Sequence, residues 1–352
     1  MRVERGGYNT VMDDFAWAPV SAPLRRFPSP RFTELLPTLA AQRSGYAGES
    51  AVITNLDAFD RAVLSWNGEG NWRLEMRLQL AKEPGTGGGS LTPYFPLGVI
   101  EGDRQRSATR SERARVSPDA VNGAAPVAVS IDTLSLKNGR TATGFQLRAL
   151  GQGRLRSLAV AHYRRDDRRF TDQPAVPGAW GTVLPVPERS QRDIEDKGIA
   201  SLVCSPTSMS MMLEFHGSRY RTIDVARAVW DSQARLYGNW PCNTAAVARL
   251  LKGGGWSAVA KMSGFDEVER EIAAGRPVAL SHRWQTGDLS NAPISRSSGH
   301  LIVAVGFTKD GDVVVNDPAA KAGEVRRVYK RRELFRTWQE RGEGIAYLVR
   351  PV

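Results

Sequence analysis

The stretch Ser201-Leu202-Val203-Cys204-Ser205-Pro206-Thr207-Ser208-Met209-Ser210-Met211-Met212-Leu213 sets a cysteine at the head of an apolar run with helical spacing. Met209, Met212, Leu213 and Phe215 share one helical face, and Gly217 supplies a stop. The hydroxyls and Pro206 just after Cys204 suit a helix entry, where N–H groups lack acceptors and a fixed φ costs nothing. A thiol there sits at the positive end of the helix dipole, which favours thiolate. Cys204 is therefore a candidate nucleophile, weighed against the ordinary fate of a free cysteine as a small buried hydrophobe.

Working outward, 352 residues with 41% hydrophobic content suffice for two cores. No apolar stretch approaches the ~20 residues that span a bilayer, so no membrane span is expected. The start, Met1 to Tyr8, has no apolar run of signal-peptide type. Two cysteines, Cys204 and Cys242, are too few for a disulfide framework, and Cys242 after Pro241 reads as a buried thiol. Four histidines (His162, His216, His282, His300) without close Cys/His spacing offer no zinc pattern, so no metal or cofactor is expected. The net charge of +11 divides about evenly between residues 1–185 and 186–352. No helix carries a basic stripe, and the densest patch, Arg104 to Arg115, reads as a loop. No nucleic-acid partner is expected; a solvated basic surface is favoured over attraction to anionic polymers such as teichoic acids or acidic glycans.

Residues 1–30 hold four prolines and little periodicity and read as an extended lead-in; Phe32 to Ala41 reads as a short helix. From about Ala51 the period becomes two. Trp72, Leu74, Met76, Leu78 and Leu80 alternate with polar residues, and further strands are expected at Ala62–Trp66, Tyr94–Ile100, Val127–Ile131, Gly144–Leu150 and Ser157–Tyr163. Clusters such as Asn67-Gly68-Glu69-Gly70-Asn71 read as turns between them, which makes residues 31–165 an antiparallel β-sandwich accessory domain. Trp66, Trp72 and Tyr94 raise a sugar-stacking reading, although core packing accounts better for Trp72. Residues 166–185, charged and proline-rich, read as a linker.

Residues 186–352 then give helices after Cys204, at Thr222–Trp230, Thr244–Lys252 and Phe265–Ala274, followed by strands from Pro277 onward. Helices first and an antiparallel sheet afterwards is an α+β arrangement, with helices expected on one side of the sheet. His300 opens the strand Leu301–Phe307, Lys309-Asp310-Gly311-Asp312 supplies a turn, and Val313–Val315 leads to Asn316-Asp317-Pro318. A hairpin folded near Lys309 places Asp317 within a residue or two of His300, where its carboxylate can orient the imidazole toward a thiol. Ser298-Gly299 leaves the backbone before His300 open to a substrate. His282, Trp240 and Trp284 are expected to pack, with cleft contact as the lesser reading.

A cysteine at a helix start, a histidine at the mouth of a strand and an acid at the end of the next resemble the papain-like cysteine peptidases. Cys204-Ser205-Pro206-Thr207-Ser208, Gly299-His300-Leu301 and Asn316-Asp317-Pro318 are similar to the double-glycine leader peptidase domain of bacteriocin exporters and its standalone bacterial relatives. Asn239-Trp240-Pro241, Ala274-Gly275-Arg276-Pro277-Val278 and Arg326-Arg327-Val328-Tyr329 continue the resemblance over about 165 residues. Ser65-Trp66-Asn67 and Asp132-Thr133-Leu134 resemble the β-sandwich that precedes this domain in a subset of them.

The resemblance implies a papain-like fold and thiol hydrolysis of a peptide or peptide-like amide. It makes Cys204 the nucleophile, His300 the base, Asp317 the orienting acid and Gln191 the amide that joins the Cys204 N–H around the oxyanion. It further implies an extracytoplasmic or envelope setting. Two departures stand out. Many relatives have glycine at the position of Ser205, which puts the space beside the thiol in question, and Gln191 precedes Cys204 by 13 residues, so the intervening segment must loop back. The chain carries no exporter membrane segments and no P-loop, so nothing else in it supports leader cleavage during export. A non-catalytic envelope- or glycan-binding module on the same scaffold, and an acyltransferase using the same thiol, are the competing readings.

Overall fold

The computed structural model describes residues 18–19, 26–36, 46–82, 89–116 and 126–351, so most of the expected lead-in lies outside the described residues. Two antiparallel sheets dominate. Among the described residues the first comprises β1 (Ala18–Pro19), β2 (Phe32–Leu36), β3 (Tyr46–Glu49), β4 (Arg61–Leu80), β5 (Phe95–Gly102), β6 (Arg104–Ser107), β7 (Val127–Ser130), β8 (Thr133–Leu136) and β9 (Ala142–Tyr163), with helix α1 (Arg110–Val116) beside it. Its spine is the β4–β9 ribbon, paired from Arg61↔Tyr163 to Leu80↔Ala142.

Three expectations change here. Phe32–Leu36 is a strand paired with the last turnless stretch of β9 rather than a helix, because the backbone of Leu158 to Ala161 offers it a ladder. Asn67–Asn71 is no turn: β4 runs through it with a bulge at Asn67/Gly68. Its glycines serve close approach instead, since Gly70 (φ +113°) faces Gly153 (φ +126°), and a Cβ on Gly153 would lie 2.4 Å from the Glu69 carbonyl. Arg104–Arg115 forms β6 and α1, the latter opened by a capping box in which the Thr109 hydroxyl accepts from Glu112 N–H (3.0 Å) and the Glu112 carboxylate from Thr109 N–H (2.7 Å).

The first sheet doubles over on itself. Trp66, near one end of β4, lies against Gly98, whose partner on β4 is Leu74 eight residues further on; only a bent strand lets both hold. The inner faces share one core that includes Leu64, Trp66, Trp72, Leu74, Phe95 and Phe145. Trp66 and Trp72 are each 2% exposed, and Tyr94 is buried between the guanidinium groups of Arg77 (4.7 Å) and Arg148 (3.9 Å). No face of these three rings is open for stacking on a sugar.

The second sheet runs β10-β15-β11-β12-β13-β14, from Gly255–Lys261 (β10), Val278–Trp284 (β11), Ser297–Phe307 (β12), Val313–Asn316 (β13), Arg326–Tyr329 (β14) and Ile345–Pro351 (β15). Helices α2 (Cys204–Phe215), α3 (Thr222–Val229) and α4 (Trp240–Leu250) cover one face, packing Met209, Met212, Val225 and Val247 on Leu301, Val303 and Val305. Helices α5 (Phe265–Ala273) and α6 (Arg331–Phe335) cover the other, against Ile302, Ala304 and Leu280. The class is α+β, but helices lie on both sides. The unbroken apolar run Leu301–Val305 carries the reason, since a strand buried on both faces has no wet side to alternate with.

Residues 166–185 lie along this second sheet: Arg169 N–H donates to the Ser263 carbonyl (2.6 Å), Val183 bridges to Gly306, and Leu184 N–H donates to the Val305 carbonyl (2.7 Å). The outer face of the β4–β9 ribbon packs on β10. Asn67 fits there like a length of backbone, donating to the Ser257 carbonyl (3.0 Å) and accepting from Ser257 N–H (2.9 Å).

Candidate active site

Helix α2 begins at Cys204 without any side-chain cap. The expected capping hydroxyls turn elsewhere: Thr207 donates to the Val203 carbonyl (2.6 Å), Ser208 to the Leu301 carbonyl (2.9 Å) and Ser210 to the Thr207 carbonyl (2.7 Å). Thr207 and Ser210 thus satisfy local carbonyls, and Ser208 a carbonyl of β12, within a helix that is buried from Ser205 to Leu213. The helix entry keeps its positive end for other acceptors. The Ser208 bond also ties α2 to β12 one residue from His300.

Ser205 points away from the thiol. Its hydroxyl lies 2.9 Å from Asn243 Oδ1 on α4, and Asn243 Nδ2 donates to the carbonyls of Tyr237 and Asn239 (both 2.7 Å). A serine in place of glycine therefore leaves the cleft unobstructed and fastens the nucleophile's helix to the cleft wall at Tyr237.

Strand β12 carries His300 at the end of the sheet, and β13 delivers Asp317 just past Asn316, which pairs with Val303. Asp317 thus sits diagonally from His300 on the same pleat face, and its Oδ1 lies 2.8 Å from His300 Nε2. The same carboxylate accepts from Ala319 N–H (2.9 Å) and from the Tyr329 hydroxyl (2.5 Å). With Nε2 engaged by the acid, the other ring nitrogen is left for the thiol.

Electrostatics follow from this chain. Burial alone raises the Cys204 thiol, but the hydrogen bond and charge of His300 and the Leu301 N–H outweigh it and bring the thiol below its ordinary value. Burial lowers the His300 imidazole, yet Asp317 and the thiol beside it lift the ring to about 10. Asp317, raised by burial, is brought down to about 2 by His300, Tyr329 and Ala319. Each member of the Cys204–His300 pair thus favours the charged form of the other, thiolate beside imidazolium.

Gln191 lies buried in a short 3-10 turn (Gln191–Asp193) whose N–H donates to the Pro318 carbonyl (2.8 Å). The segment does loop back: Gln191 Nε2 donates to the Ala200 carbonyl (2.9 Å), in the turn Ala200–Leu202 that runs into Cys204. His282 packs, stacked on Trp284 at 4.7 Å, and burial holds its ring at about 3. Cys242 is fully buried and its thiol is pushed well up by burial. Trp284 is 1% exposed yet forms part of the cleft floor, so both of its readings hold. Tyr329 escaped the sequence reading as a site residue; its phenol meets Asp317 only through the β13–β14 pairing.

Cys204 opens onto a cleft of about 760 Å³ walled by Leu202, Leu236, Tyr237, Trp284 and Ile294, with Gly238 and Gly299 at its rim. Leu202 (59% exposed) and Leu236 (38% exposed) present apolar surface to it. Among the described residues no group of His, Cys, Asp and Glu is arranged to hold a metal ion, and no helix is long and apolar enough to cross a membrane.

Residues 183–345 match the model of the Peptidase_C39 like family. This part of the chain is similar to that family. The C39-like region contains Gln191, Cys204, His300 and Asp317, and it has a cysteine peptidase-type fold. Among solved structures, a double glycine motif protease from an AMS/PCAT transporter in complex with the leader peptide is 18% identical, covering 49% of this chain and 95% of that one at a TM-score of 0.30. The peptidase domain of Streptococcus ComA, a bi-functional ABC transporter involved in quorum sensing, is 13% identical, covering 49% and 98% at a TM-score of 0.32. No curated protein matches.

Proposed function

We propose that the chain is a cysteine peptidase or amidase that cleaves a peptide-like amide through a thioester on Cys204. The observation that carries this reading is the hydrogen-bonded chain from Asp317 through His300 to a thiol at the uncapped start of α2, open to a cleft. In the proposed cycle the Cys204 thiolate attacks the amide carbonyl, and the Sγ–C bond forms as the carbonyl π pair moves onto oxygen. The Cys204 N–H and the second N–H of the Gln191 amide receive that oxyanion. Collapse breaks the C–N bond while His300 gives its proton to the leaving amine; water, deprotonated by the same ring, then releases the acid and the thiol. Asp317 keeps Nε2 occupied throughout, which holds the other nitrogen toward the reaction. The match of residues 183–345 to the Peptidase_C39 like family supports the same assignment.

The test is a mixed peptide library incubated with the intact chain, its cut sites read by mass spectrometry. Cleavage that disappears in Cys204→Ala and His300→Ala, and falls about 10²- to 10³-fold in Gln191→Ala, is the expected result. Equal cleavage by Cys204→Ala, or cleavage by none of the proteins, contradicts the proposal.

A further inference from the structure

We propose that the cleft selects substrates bearing carboxylates beside the scissile amide, through Arg235, Arg296 and Arg283; this rests on the hydrolase reading above. Arg235 and Arg296 line the cleft itself, and the cleft has no Asp or Glu in its wall. Arg283 lines an adjoining pocket of about 350 Å³ that shares Trp284, Gln285, Ser297 and Ser298 with the cleft. Most arginines near charged surface here are paired: Arg165 with Glu343, Arg341 with Asp288, Arg327 with Asn291. Among the described residues the side chains of Arg235, Arg283 and Arg296 have no ion pair and no hydrogen bond, and Arg235 and Arg296 are exposed and free to turn. Glu340 lines the adjoining pocket, and Asp288, which accepts from Gln285 N–H (2.8 Å), is paired with Arg341.

Backbone geometry points the same way. Arg235 holds φ +55°, a left-handed conformation that costs a non-glycine residue about 1 kcal/mol or more. The turn that imposes it is built around Asp231, whose Oδ1 accepts from Gln233 and Ala234 N–H (3.0 and 3.1 Å) and whose backbone bridges to Leu236. Asp231 Oδ2 accepts from Asn239 Nδ2 (2.6 Å) and from Ser107 N–H (3.2 Å) on the first sheet. The first sheet thus braces the loop that presents Arg235. Glycine would occupy position 235 without strain; the arginine found there adds a guanidinium to the cleft wall. Guanidinium pairs with carboxylate by two parallel N–H···O bonds, and unpaired cations around a low-dielectric cleft concentrate anions at its mouth.

The probe pair is iodoacetate and iodoacetamide, alkylators that differ by one carboxylate and report on Cys204, since Cys242 is buried. The ratio of their rates at Cys204 is expected to fall by about threefold or more in Arg235→Gln/Arg296→Gln, to recover with lysine at both positions, and to fall in the wild type as salt rises. Arg104→Gln/Arg154→Gln, which removes the same two charges from exposed sites on the first sheet, is expected to leave it unchanged. A ratio that does not move in Arg235→Gln/Arg296→Gln, or that moves equally in Arg104→Gln/Arg154→Gln, overturns the arginine assignment alone. A Cys204 inert to both reagents overturns the hydrolase reading and this one with it.

Discussion

At the scale of single residues, the site is a relay of partners that each fix one degree of freedom. Tyr329 fixes the acid: its hydroxyl donates to Asp317 Oδ2 while His300 and Ala319 share Oδ1. Tyr329→Phe is expected to remove a buried, charge-assisted bond, lowering stability by about 1.5–3 kcal/mol and moving the acid limb of thiol reactivity to higher pH. The sign follows from the shifts. Asp317 sits below its unfolded value, so its stabilisation is present above about pH 4 and fades as pH falls toward 2; losing a donor raises that folded value and narrows the range. Urea titrations at pH 3.5 and 7 check it, and an unchanged acid limb would show that Tyr329 only packs. That Cys204 heads a helix and that Asp317 lies beside His300 was legible from order and spacing, because a helix start and a hairpin are local features. Tyr329 was not, because a phenol twelve residues beyond its acid becomes a partner only once a third strand pairs.

At the scale of elements, the β4–β9 ribbon shows how glycine reads differently in sequence and in space. A cluster such as Asn67–Asn71 carries the residues that favour turns, yet the ribbon uses them to let two backbones meet at a bend. Gly153→Ala puts a methyl against the Glu69 carbonyl at a positive φ, and a loss of about 1–3 kcal/mol is expected, read as a lower urea midpoint with the m-value kept. A midpoint equal to the wild type would mean that the ribbon is not bent there. The helices of the second half were legible from their apolar period. The strand at Phe32–Leu36 was not, because five residues can satisfy either period until β9 supplies the ladder.

At the scale of the whole molecule, the two sheets are joined by polar groups that behave as backbone. Asn67 exchanges two hydrogen bonds with Ser257, and the Ser65 hydroxyl accepts from Val259 N–H (3.3 Å). Asn67→Ala leaves buried Ser257 groups without partners, so a loss of about 2–4 kcal/mol is expected, with the C39-like half becoming more sensitive to proteolysis. Unchanged protease resistance would show that the sheets hold one another by apolar contact alone. Sequence could separate an all-β first half from a mixed second half, since period and composition differ. It could not show which face of the first sheet meets β10, because Ser65 and Asn67 are ordinary polar strand residues until their partners appear.

The central claim is that His300, held by Asp317, lowers the Cys204 thiol below its ordinary value. Iodoacetamide labelling of Cys204 from about pH 5 to 10 tests it most directly. The thiol lies below its ordinary value and the imidazole is raised, so labelling is expected to remain fast well below the ~8.5 of a free cysteine. In His300→Ala the midpoint is expected to move up by at least one pH unit. A wild-type midpoint near ~8.5 that His300→Ala leaves in place would contradict the account.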